Sequence, residues 1–262
     1  MAAGHAAPSV GPATGPGGGR GPARPLLTAR WQNLLVVTYP VAEELLAPHL
    51  PPGVVVDHLD GRARVSFVAF EFARTRIYGL AIPGHTSFPE INLRFYVRAG
   101  GERGIVFIRE FVPRQAVVLV ARARYHEPYR RISMHSDAVP VGLPDAPRLR
   151  VSHEFGPGPS SLSAEVDARG VAPPEGSAEH WLTHQAFGFG QTRRGQPRRY
   201  RVEHPVWPLH PVRQLDMDVD FAGLYGPDWA FLRDAVPGHV TFAAGSDVAL
   251  FPPDRGRRAP AG

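Results

Sequence analysis

The sequence predicts an α+β protein, mostly antiparallel β, in one domain of barrel type. Three observations carry that reading. Many short β-branched or alternating runs stand against only a few helix-like segments. Gly, Pro and Asp turn signals separate the runs at short intervals. No sequence repeat and no linker of domain-boundary length interrupts residues 26–253. The chain has 262 residues, 43% of them hydrophobic, enough for a globular core.

The elements follow in chain order. Residues 1–25 are rich in Ala, Gly and Pro and read as a disordered leader. They lack the continuous apolar core of a signal peptide. Trp31 to Tyr39 is β-branched and aromatic, hence a strand, and Pro40 ends it. Val41, Leu45 and Leu46 lie at helical spacing, with Glu43 and Glu44 where a helix dipole favours negative charge. A helix over 41–49 is therefore expected, stopped by Pro51, Pro52 and Gly53. Runs 54–59 and 62–73 flank Asp60-Gly61, a two-residue hairpin signal. In the second run Val68, Phe70 and Phe72 share one face; Val65, Phe67, Ala69 and Glu71 share the other. Residues 114–125 fit helix and strand equally. Strands are expected near 130–135, 147–155, 161–168, 187–193, 198–204, 212–221, 239–243 and 246–251, with a helix over 178–186. Residues 254–262 read as a flexible basic tail.

Phe88 to Arg131 is the most informative segment. Glu90, Asn92, Arg94, Tyr96 and Arg98 alternate with Ile91, Leu93, Phe95 and Val97, so the strand has one polar and one apolar face. A loop over 99–103 places Asn92 opposite Glu110 and Arg94 opposite Ile108. A one-residue slip would put Arg109 on the polar face instead. That face is either solvated surface or the wall of a polar cavity. Glu110 sits in the apolar run GIVFIREFV, where a carboxylate needs a partner; Arg94 and Arg109 are the candidates. Such a pair is as consistent with a structural role as with a catalytic one.

Composition narrows the function. All 29 basic residues are Arg, so no lysine side chain exists to form a Schiff base. The net charge of +5 comes from scattered arginines, not a concentrated patch, which argues against nucleic acid as a partner. No apolar run is long enough to cross a bilayer. Cytoplasmic location follows by default, with a small molecule as the expected ligand and a homo-oligomer left open. The absence of Cys removes disulfides and Cys-metal sites. No dinucleotide or phosphate fingerprint and no GxSxG elbow occur, so no cofactor is expected. His180 and His184 share a helix face, but Trp181 stands where the Glu of HExxH would be, and no third ligand follows. His204, Pro205, Trp207 and Pro208 suggest a rigid corner with a buried ring.

Several segments in order carry a family resemblance: TARWQNLLVVTYPV, LPPGVVVD, DGRARVSFVAFEF, FPEINLRFYVR, GIVFIREFVPR, HEPY, EHPVWPL and FAAGSDVALFPP. Over residues 26–253 the chain resembles the YqjF-like family, domain of unknown function 2071, which in turn resembles acetoacetate decarboxylase in fold. The resemblance implies a twisted barrel with a few peripheral helices around a partly polar cavity. The decarboxylase pattern has two glutamates flanking a hairpin and a Pro-Lys-Lys carrying the imine-forming lysine. The corresponding residues here are Glu90, Glu110 and Pro128-Tyr129-Arg130, so Tyr129 stands in the place of the reactive lysine. An early arginine of the pattern falls near Arg30. The resemblance thus implies Glu90, Glu110 and Tyr129 as catalytic groups. Asn92, Arg94, Arg130 and Arg30 are the expected ligand-binding groups, acting on a small carbonyl or carboxylate compound without a Schiff base. Tyr125 reads as packing, and His126 could belong to either role. The alternative is a ligand-binding or partner-binding protein that keeps the fold alone.

Overall fold

A computed structural model describes residues 24–124, 127–156, 158–192 and 194–253. The expected tail and all but the last two residues of the expected leader lie outside this range, as do Tyr125 and His126. The first strands are β1 (Leu27–Val41), β2 (Val55–Val56), β3 (Ala63–Ile77), β4 (Phe88–Ala99) and β5 (Glu102–Val112). Helix α1 (Gln115–Arg124) resolves the ambiguous stretch as helix, followed by β6 (Tyr129–Arg131), β7 (Met134–Leu143), β8 (Ala146–Phe155) and β9 (Ser160–Asp167). Helix α2 (Ala178–Thr183) precedes β10 (Phe187–Gln191), β11 (Pro197–Glu203), β12 (Leu209–His210) and β13 (Val212–Asp218). Helix α3 (Phe221–Tyr225), a 3-10 stretch (Pro227–Arg233) and β14 (His239–Leu250) complete the described chain.

Seven of these strands close on themselves in the order β4, β3, β1, β14, β11, β10, β5 and back to β4. The ring is antiparallel except at the β10–β5 seam, where Phe187 and Gly188 pair in parallel with Gly104 and Ile105. Gly104 is required there, since a Cβ would overlap the Phe187 carbonyl oxygen. A second sheet, in the order β13, β9, β8, β7, covers one side.

Alternation divides the ring strands cleanly. Val37, Val65, Phe67, Ile91, Leu93 and Phe95 face outward into the main core, which they share with Val151, Phe155 and Leu162 of the second sheet. Phe67 and Phe155 meet across this interface with ring centroids 5.8 Å apart. The opposite face, bearing Val36, Val68, Phe70, Phe72 and Phe88, turns into the ring. Both faces of β3 and β4 are therefore largely buried, and the polar row of β4 lies inside the barrel.

Four sequence expectations are corrected. Residues 41–49 form two 3-10 turns, Glu43–Leu45 and Ala47–His49, not one helix. Pro48 lacks the amide hydrogen that a continuous helix would use. Asp60 and Gly61 do form the tight turn, both with positive φ. Only Leu59 and Arg62 bridge across it, however, because Val55–Val56 pairs with Arg98 and Val97 of β4. The strands expected at 239–243 and 246–251 are one, with Gly245 at φ 90 carrying the chain through. Finally, β7 and α3 were not anticipated.

Candidate active site

The hairpin of β4 and β5 supplies the first part of the site. Its register is the expected one near the carboxylates, with Asn92 opposite Glu110 and Leu93 opposite Arg109. A bulge then skips Ile108, so Arg94 pairs with Phe107 and not with Ile108. Beyond α1 the chain returns as β6, parallel to β5, which sets Tyr129 beside Glu110. A bond from Arg122 Nε to the Tyr129 carbonyl, 2.8 Å long, ties α1 to that strand.

Glu90, Asn92 and Glu110 are almost wholly buried, with exposures of 2%, 1% and 2%, and Glu127 is 5% exposed. The Tyr129 hydroxyl donates to Glu90 Oε2 at 2.8 Å, and Asn92 Nδ2 donates to Glu90 Oε1 at 3.1 Å. Glu90, Glu110, Glu127, Tyr129 and Tyr200 all line one cavity of about 100 Å³. Its other walls are mostly aliphatic or aromatic, including Leu26, Phe72, Phe88, Val120 and Leu250.

Within it, Glu110 Oε2 and Glu127 Oε1 are buried without hydrogen-bond partners. Burial first, then the Glu127 and Glu90 charges, push Glu110 well above the ordinary carboxyl range, against the lowering effects of Tyr129 and Arg94. Burial likewise raises Glu90 to about 7, opposed by its bonds to Tyr129 and Asn92 and by the Arg94 charge. Glu127 is raised to about 8, chiefly by burial, while a hydrogen bond from Tyr200 pulls it back. Burial and the adjacent carboxylates also raise the Tyr129 phenol, which keeps its proton. Burial thus biases all three carboxyls toward their protonated forms.

The arginines divide. Arg94 acts on Glu90 and Glu110 through its charge, but its Nε is buried without a partner. No ion pair between Arg94 and either glutamate occurs among the described residues. Arg109 turns to the outer face, where it donates to the Leu224 carbonyl, so it is not the partner of Glu110. Arg130 is exposed beside Arg109, because alternation points it away from Tyr129. Arg30 pairs with Asp247 at 3.8 Å on the outside of β1. Neither Arg30 nor Arg130 lines the cavity.

Two cavity groups escaped sequence reasoning. Glu127 lies in HEPY, one residue before Pro128, with no alternating strand to mark its face. Tyr200 is embedded in the arginine-rich run of β11. Its only signal is Gly188 across the ladder, where a Cβ would overlap the Tyr200 ring.

The histidines form a separate group. His180 and His184 have centroids 5.1 Å apart, and His184 and His204 5.5 Å. His204 stacks on Trp207 with ring centroids 4.0 Å apart, and Trp207 is the buried ring expected from the sequence. No group of three or more His, Cys, Asp or Glu able to hold a metal is found among the described residues. No helix there is long and apolar enough to cross a membrane.

The closed, mostly antiparallel ring is an acetoacetate decarboxylase-like fold. An acetoacetate decarboxylase-like enzyme from Sphingomonas wittichii RW1 superposes with a TM-score of 0.56 at 15% identity, covering 88% of this chain and 94% of that one. The enduracididine biosynthesis enzyme MppR, solved in complex with pyruvate, gives 0.55 at 18% identity, with 93% of each chain covered. The chain belongs to the DUF2071 family, described as an uncharacterized conserved protein, whose pattern matches residues 28–247. The uncharacterized protein YqjF of Bacillus subtilis (strain 168) is 27% identical over 191 residues, 70% of this chain and 75% of that one.

Proposed function

We propose that the cavity takes a small neutral carbonyl compound and polarises its oxygen by hydrogen bonding from a protonated carboxyl, with no imine. The observation that carries this is the pair of unpartnered buried oxygens, Glu110 Oε2 and Glu127 Oε1, in one cavity that no arginine lines among the described residues. Buried polar atoms are nearly always bonded, so open ones facing a cavity are suited to a ligand. A protonated Glu110 donates to the carbonyl oxygen. Glu90, already held by Tyr129 and Asn92, is placed to accept a proton from the adjacent carbon. The C–H electron pair would then form the C=C bond of an enol as the oxygen takes the Glu110 proton. An imine route is closed because the chain has no Lys.

A carboxylate ligand fits less well than the sequence suggested. Arg30 and Arg130 lie outside the cavity, and three carboxyls line it. The pyruvate held by the enduracididine enzyme, a keto acid, supports the carbonyl half of the reading.

The test is proton NMR of small ketones and aldehydes in D2O with the protein present, beside a thermal-shift screen of the same compounds and matched carboxylates. Stabilisation by the carbonyl compounds with loss of the α-proton signal supports catalysis. Stabilisation without exchange leaves binding alone. No stabilisation by any carbonyl compound refutes the reading.

A further inference from the structure

We infer that the ligand of this cavity carries an aliphatic chain that leaves the barrel between the β3–β4 loop and helix α1. This rests on the carbonyl reading above for the ligand's head. The cavity is strongly graded. Its polar groups gather where Glu90, Glu110, Glu127, Tyr129 and Tyr200 meet, and the remaining lining is nearly all apolar. Two of those apolar residues are largely exposed: Leu80 at 73% and Ile82 at 43%. Both belong to the loop between β3 and β4, and both line the same cavity as Val117 and Val120 of α1. Single exposed apolar side chains are ordinary. A pair that frames the mouth of an apolar cavity, opposite valines from another element, is the arrangement an acyl or alkyl chain requires.

Size points the same way. An apolar cavity of about 150 Å³ accommodates benzene. The present one, about 100 Å³, encloses only a small head group. A longer ligand must run outward, and the outward path is lined by aliphatic side chains. Apart from Thr75 and His85, the lining residues outside the carboxyl cluster are all apolar, so that path suits an aliphatic chain better than a polyol or a second charged group. The chemical class is therefore a medium-chain ketone or aldehyde, with its carbonyl at Glu110.

The experiment is isothermal titration of the full chain with unbranched 2-alkanones from three to ten carbons at neutral pH. Affinity is expected to climb with length, by up to about fourfold for each methylene buried, until the chain passes Leu80 and enters water. Leu80→Ser with Ile82→Ser should remove most of that climb. Tyr78→Ser should not, because Tyr78 is an exposed apolar residue of the same loop that does not line the cavity. Short ketones that bind with no gain on lengthening would overturn the chain proposal and leave the carbonyl reading standing. A gain that survives in the Leu80/Ile82 variant would also overturn it. If no alkanone of any length binds, the carbonyl reading fails and the chain proposal falls with it.

Discussion

The two ends of the barrel interior are built on the same strands yet treat their polar groups in opposite ways. At one end Thr38, Ser66 and Tyr96 form a continuous chain. Thr38 Oγ1 and Ser66 Oγ are 2.7 Å apart, Ser66 Oγ and the Tyr96 hydroxyl 2.6 Å, and that hydroxyl also reaches the Leu182 carbonyl at 3.3 Å. At the other end, on the same face of β4, Glu90 joins Glu110 and Glu127 around a cavity, Asn92 donates to Glu90, and two carboxyl oxygens are left open. A satisfied buried network rigidifies a core. An unsatisfied one destabilises it, and its persistence beside a cavity is the mark of a site. On the proposed reading, that difference separates scaffold from candidate site within a single strand.

That contrast can be broken by experiment, starting with its strongest consequence. Tyr96→Phe removes one of the two bonds of Ser66 and the hydroxyl that reaches the Leu182 carbonyl in a closed core, and should cost about 1–3 kcal/mol, read by urea denaturation. Ligand response should survive. A negligible cost would mean the hydroxyl chain is no more structural than the carboxyl end.

The carboxyl end should reveal itself in pH dependence. Glu90 and Glu127 have folded values of about 7 and about 8, above the ordinary 4.5, and Glu110 is raised in the same direction. The folded state therefore holds protons the unfolded chain has released. The stability these groups contribute is complete below pH 4.5 and is lost as pH rises through their folded values. His153 and His204, both lowered to about 4 by burial, work the other way, but only below their unfolded value of 6.5. Between pH 6.5 and 8.5 the carboxyls should dominate, and stability should fall by about 3 kcal/mol. A flat profile over that window would remove the distinction between the two ends.

Glu110→Gln sharpens the comparison further. It keeps the shape but cannot ionise, so the alkaline loss should shrink and stability at pH 8.5 should rise by about 1 kcal/mol, while ligand response disappears. A loss of 3 kcal/mol or more would instead identify Glu110 as part of a structural ion pair. The smallest effects belong to Arg30→Ala and Arg130→Ala. Both side chains lie outside the cavity, and each change should stay within about 0.5 kcal/mol and leave ligand binding unaltered.

Much of this was legible in the sequence where one rule decides the outcome. The period-two alternation of β4 and the short glycine turn placed Asn92 opposite Glu110. The same alternation divided Val68, Phe70 and Phe72 from Val65 and Phe67. The same alternation applies to the Tyr129-Arg130 pair and sends Arg130 away from the site that the family resemblance implies for it. Long-range choices were less accessible. Nothing local announces that Val55–Val56 abandons its own hairpin for β4, or that Tyr200 of β11 bonds to Glu127. The bulge at Ile108, which moves Arg94 one place along β5, is equally silent in the pattern of residues.

The central claim is that buried carboxyls at the open end hold protons near neutral pH. Carbon NMR of protein labelled at the glutamate side-chain carboxyl, titrated from pH 4 to 9, tests it most directly. The account expects a small group of signals, altered by Glu90→Gln, Glu110→Gln or Glu127→Gln, with midpoints well above the rest and changing together as coupled groups do. If every glutamate signal titrates near 4.5, the carboxyls are ionised at neutral pH, and the site proposed here is not a proton-holding one.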